Sequence, residues 1–182
     1  MSDSQQNDTV QHAGAALPLS RIITIAEISP RGLDVDLKAD AQILAALARL
    51  VEVSEIRDFR ARINLAHEGE DGIHATGVVQ ATIRQACGVT LELFDAPLNE
   101  EVDVHFVPAG TPVPPESLED ESYDPPDEIQ DGRIDVGALA VEFLALGIDP
   151  YPRKPDAVFE LPEQDAAALS PFSALSRLKD QS

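Results

Sequence analysis

The sequence predicts an α+β fold: a single domain in which an antiparallel sheet of at least four strands is packed by two or three helices. Three observations predict it. Apolar and polar residues alternate with period two in several runs between residues 33 and 106, apolar residues recur at helical spacing in separate segments, and turn residues punctuate the runs. With 182 residues the chain is long enough for one domain with a real core. The domain is placed at 19–180, behind a disordered tail at 1–18 that is small, polar and without periodicity.

Taken in order, residues 21–26 carry Ile22, Ile23 and Ile25 and read as a first strand. The turn residues Pro30, Arg31 and Gly32 lead into alternating Leu33, Val35 and Leu37, which predicts a β-hairpin with that strand or a close relative of one. Asp40 is a plausible N-cap for a helix over 41–51, where Ile43, Leu44, Leu47 and Leu50 share one stripe. From 57 to 66, Phe59, Ala61, Ile63 and Leu65 alternate with Arg60, Arg62 and Asn64, the pattern of a half-buried strand. Glu70, Asp71 and Gly72 supply a turn, after which Ile73, Ala75, Gly77, Val79, Ala81 and Ile83 occupy one face of a second long strand. Two further runs, Val89-Leu91-Leu93 and Val102-Val104-Phe106, are separated by Pro97 and Asn99 and extend the meander. Residues 111–131 hold five prolines and many carboxylates but no Lys or Arg, and read as a flexible acidic loop. Asp135 then caps a helix with Val136, Leu139, Phe143 and Leu146 on one stripe, and Gly147 stands where a C-terminal cap belongs. Residues 171–179 place Phe172, Leu175 and Leu178 on one side of a short terminal helix.

Composition narrows the function. Hydrophobic residues are 43% and aromatic residues 4% with no Trp, so the core must rest on Leu, Ile, Val and Ala. Thirteen Lys and Arg face 33 Asp and Glu, a formal net charge of −20. Such a chain repels a phosphate backbone, whose binding depends on cations that displace condensed counterions, and attracts a basic protein. One cysteine, Cys87, excludes an internal disulfide and a cysteine-rich zinc site, in keeping with a reducing cytosol. The N-terminus lacks the charge and apolar regions of a secretory signal, and no apolar run approaches the roughly 20 residues that span a bilayer.

No catalytic residue, metal ligand set or cofactor is assigned. Gly-rich phosphate loops, G-x-S-x-G, H-E-x-x-H and C-x-x-C are all absent. Cys87 reads as a buried structural thiol; a Cys–His hydrolase would need a histidine beside it in space, and His74 and His105 are too distant in sequence to form a local motif with it. The candidate binding residues fall into two sets. Glu119, Asp120, Glu121, Asp124, Asp127 and Glu128 form an acidic surface able to grip a lysine-rich partner, and a merely solvated acidic segment is compatible with the same residues. Arg60, Arg62 and Arg84 project from polar strand faces and, with Arg153 and Lys154, offer a local basic patch for RNA; cross-strand salt bridges account for the strand arginines equally well.

The stretch Gln85-Ala86-Cys87-Gly88-Val89-Thr90-Leu91-Glu92, followed by Asp135-Val136-Gly137-Ala138-Leu139, Glu142-Phe143-Leu144-Ala145-Leu146, Asp149-Pro150-Tyr151-Pro152-Arg153-Lys154-Pro155 and Ser170-Pro171-Phe172-Ser173-Ala174-Leu175, resembles the YceD family of large ribosomal RNA accumulation proteins, in its alphaproteobacterial form. Many members carry C-x-R-C-L from 87 to 91; here Val89 and Thr90 stand in place of the arginine and second cysteine, and no shared metal or redox role is carried over. The resemblance implies a non-enzymatic, cytoplasmic bacterial factor that supports accumulation or maturation of 23S ribosomal RNA. Joined to the charge, it points to a basic ribosomal protein or a large-subunit precursor particle as partner. Direct RNA binding through the basic patch and an RNA- or protein-processing enzyme are the alternatives, and the oligomeric state is left open.

Overall fold

A computed structural model describes residues 17–112 and 125–158. Residues 1–16 of the expected tail, the terminal helix at 171–179 and the centre of the acidic loop lie outside the described residues. The chain clusters into two compact units: a larger one taking residues up to 85 and 95–150, and a smaller one of 86–94 with 151 onward.

The larger unit has the expected α+β character. Its elements are β1 (Ile22–Thr24), β2 (Leu33–Lys38), α1 (Ala41–Leu50), β3 (Glu55–Glu68), β4 (Gly72–Ala86), β5 (Leu93–Pro108), β6 (Asp127–Ile129), β7 (Arg133–Asp135) and α2 (Val136–Leu146), with β4 and β5 running a residue or two into the smaller unit. Strands β2 to β6 form one sheet in chain order, and β1 pairs with β7 in a second. The β3–β4 hairpin is the spine, because its alternation is the longest: Phe59, Ala61, Ile63 and Leu65 on β3 and Ile73, Ala75, Val79, Ala81 and Ile83 on β4 are all buried on one face. Leu47 and Ala48 of α1 and Leu139, Ala140 and Leu144 of α2 complete the same cluster. Each large apolar side chain withdrawn from water there contributes about 1.5–3 kcal/mol.

Both helix caps form as their sequences predict. The Asp40 carboxylate accepts from the Gln42 and Ile43 amides at 2.9 Å. Asp135 does more than cap: its carboxylate accepts from Gly137 and Ala138 of its own helix and also from Ser20 Oγ at 2.6 Å and Arg21 N at 2.8 Å. Burial opposes its charge, but these hydrogen bonds outweigh it and hold the carboxyl below its ordinary value. Gly137 serves the same junction, since a Cβ there would fall 2.6 Å from Arg21 N.

Four sequence expectations are corrected. The first strand does not form a hairpin with β2. It pairs instead with β7, Ile23 opposite Ile134; residues Ile25–Glu27 turn into a 3-10 helix in which Glu27 caps Thr24, ending the strand before Pro30. Of the run Val89-Leu91-Leu93 only Leu93, the first residue of β5, is in a strand. Leu91 adopts φ 61° and is exposed, so its alternation has no face to bury. Pro97 and Asn99 do not separate strands but lie inside β5, which at that point is a sheet edge, where proline is tolerated. The main sheet is mixed rather than purely antiparallel, because β6 joins β5 in parallel, Val107 opposite Glu128. The last part of the expected acidic loop is thereby strand and turn, anchored by buried Ile129.

Candidate functional site

A groove of about 430 Å³ opens beside β6, β7 and α2. Its floor is apolar, with Ile22, Phe106, Ile134 and Leu139, while Asp127, Glu128, Asp131, Asp135 and Glu142 supply carboxylates and Arg133 the single cation among the described residues. A neighbouring depression of about 270 Å³ shares Asp127, Leu139 and Glu142 and reaches Phe143, Leu146 and His105. The chain builds this acidic rim because β6 and β7 are short: their one or two inward side chains anchor them, and the residues between face water. Asp135 is committed to its four donors, and Glu128 accepts from Gly110 N and Gln130 Nε2 at 3.2 Å each. An apolar floor under a carboxylate rim suits the methylene stem and cationic head of Lys or Arg.

Of the acidic candidates, Asp127 and Glu128 line the groove, and Glu119, Asp120, Glu121 and Asp124 lie outside the described residues. Asp131 and Glu142 are groove residues that the sequence reading did not single out. Glu142 had a usable signal, standing three residues after Leu139 and four before Leu146 on α2.

The arginines of the sheet's outer face are drawn largely into ion pairs. Arg60 donates to Asp36 through Nε at 3.2 Å and Nη2 at 2.6 Å, which raises the arginine pKa and lowers that of the aspartate. Arg84 and Arg57 flank Asp95 at 3.8 Å and 3.0 Å. Arg62 lies opposite Asp36 in the β2–β3 register, yet has no carboxylate within ion-pair distance among the described residues. Arg153 and Lys154 belong to the smaller unit, so the five cations are divided between two bodies.

Within that smaller unit a loop closes around the thiol. Cys87 N donates to Glu92 O and Leu91 N to Cys87 O, while Gly88 N donates to Pro152 O. The backbone amides of Lys154, Thr90 and Val89 all point at Cys87 Sγ, at 3.4, 3.5 and 3.4 Å. These donors, Lys154 foremost, lower the thiol pKa to about 6 against the opposing effect of burial. Lys154 Nζ binds Glu92 at 2.8 Å, which lowers the glutamate and raises the lysine. The side chain is buried, as expected, and its hydrogen-bond partners among the described residues are backbone amides rather than an imidazole.

The three described histidines are engaged elsewhere. His67 contacts Ile28 O at 3.0 Å. His74 and His105 stack on the outer face of the sheet, with Asp103 and Glu68 at their ring nitrogens.

Comparison with known proteins gives one family. The model of the large ribosomal RNA subunit accumulation protein YceD matches residues 75–179, more than half of the chain. No curated protein and no solved structure matches significantly.

Proposed function

The chain belongs to the YceD family of large ribosomal RNA subunit accumulation proteins, and on that premise we propose that it is a non-enzymatic cytoplasmic factor for 23S ribosomal RNA, acting by holding a basic ribosomal protein, free or on a large-subunit precursor particle. The family description supports the role in large-subunit RNA accumulation. The observation that carries the partner is the groove, where five carboxylates and one arginine surround an apolar floor in a chain of net charge −20. A single exposed ion pair contributes only about 0.2–1 kcal/mol, so a partner must present several cations to be held. That condition selects Lys- and Arg-rich segments. Shielding such a segment keeps it from RNA until assembly releases it.

Direct RNA contact is the second reading. Arg62, without a carboxylate partner among the described residues, favours it; the ion pairing of Arg60, Arg84 and Lys154 counts against it. The two readings separate when immobilised protein is offered extracted ribosomal proteins in one arm and naked 23S RNA in the other. Retention of basic ribosomal proteins, weakened by salt and by combined Asp127→Asn, Glu128→Gln and Glu142→Gln changes, is the expected result. Tight retention of the naked RNA with no retention of basic proteins overturns the proposal.

A further inference from the structure

Four side chains on the outer face of the main sheet converge from three adjacent strands. Glu68 ends β3, His74 lies near the start of β4, and Asp103 and His105 are two residues apart on β5. Period-two geometry puts all four on the same face. The register makes His74 the direct partner of Ala66, whose methyl leaves space, and sets Glu68 on the diagonal opposite Gly72. The two imidazoles stack with centroids 4.2 Å apart and planes 8° from parallel. His105 Nδ1 lies 2.6 Å from Glu68 Oε2, His74 Nε2 lies 2.6 Å from Asp103 Oδ1, and His105 Nε2 stands 4.0 Å from that same Asp103 oxygen. One donor atom from each of Glu68, His74 and His105 falls within 4.8 Å of the others.

We propose that Glu68, His74 and His105 form a binding site for a divalent transition-metal ion of the zinc class, with the Asp103 carboxylate beside it against the His74 ring. Tetrahedral zinc bonded to imidazole nitrogen and carboxylate oxygen at about 2.0–2.2 Å holds its donors about 3.3 Å apart. The Glu68–His105 pair, now 2.6 Å apart, has to open by roughly 0.7–1 Å to admit the ion in place of their shared proton, and the partial exposure of these side chains gives them freedom to do so. Two imidazoles select zinc and its neighbours over Mg²⁺ or Ca²⁺, which take oxygen ligands. Two carboxylates balance the charge of the ion, and the stacked rings lose an arrangement that protonation of both would make repulsive. A cation also suits the strongly negative chain.

The test is titration of the full chain with Zn²⁺ alone against a chromophoric chelator, followed by X-ray absorption of the complex. One equivalent should bind, with nitrogen and oxygen scatterers at about 2.0–2.2 Å and no sulfur near 2.3 Å. His74→Asn, His105→Asn and Glu68→Gln should each weaken binding at least about tenfold, the smallest effect expected even of outer-shell changes, while leaving the far-ultraviolet dichroism unchanged. No binding by the parent, equal affinity in the folded variants, or a sulfur scatterer, which would identify Cys87 instead, overturns the assignment.

Discussion

Cys87 is held by backbone rather than by side-chain chemistry, and that determines what it contributes. Three amides directed at the sulfur favour the thiolate in the folded loop, with a pKa of about 6 against an ordinary 9.0. Because the folded value is depressed, the stabilisation is complete above pH 9 and fades as pH falls toward 6. Protection of the Lys154 and Thr90 amides from hydrogen exchange should therefore drop across that interval, and Cys87→Ala should remove the pH dependence. An identical profile in the variant would show that the sulfur charge plays no part. The residues around it were readable as a motif, but the Leu91 left-handed conformation was not, since nothing in an alternating Val89-Leu91-Leu93 run distinguishes a strand from a loop that closes on itself.

At the scale of elements, the β3–β4 hairpin concentrates the fold's packing, and Gly77 is its tightest point. It faces Ile63 in the register, and a methyl added there would overlap the Arg62 carbonyl oxygen and the Ile63 Cα. Both obstacles are backbone atoms, which cannot rotate away. Gly77→Ala should lower stability by about 1–3 kcal/mol, the usual range for overpacking, as measured by the denaturant midpoint; an unchanged midpoint would show that the strands can separate locally without loss. The hairpin, α1, α2 and both Asp caps were legible because each depends on neighbours within a few residues. Strand β1 was legible as a strand but its partner was not, since 111 residues separate Ile23 from Ile134 and neither segment marks the other.

For the molecule as a whole, two electrostatic effects compete. Salt screens the exposed ion pairs, such as Arg60–Asp36 and Lys154–Glu92, whose contribution in water is small. Salt also screens the mutual repulsion of a chain carrying −20, and with so large an excess this second effect dominates. The melting temperature should rise between low salt and 1 M, where the screening length shrinks to about 3 Å, while affinity for a basic partner falls over the same range. A melting temperature that fell with salt would mean that the ion pairs outweigh the repulsion.

Charge, the absence of familiar catalytic motifs, the alternation of the long strands and the caps of the two helices are local or additive properties, and the sequence by itself determined them. The acidic groove and the Glu68-His74-Asp103-His105 cluster are neither. They bring together residues from β3, β4, β5, β6 and α2, and Glu68 and His105 stand 37 positions apart. Strand register and the parallel docking of β6 decide such meetings, because side-chain direction is set by period-two geometry only once the pairing partner is known.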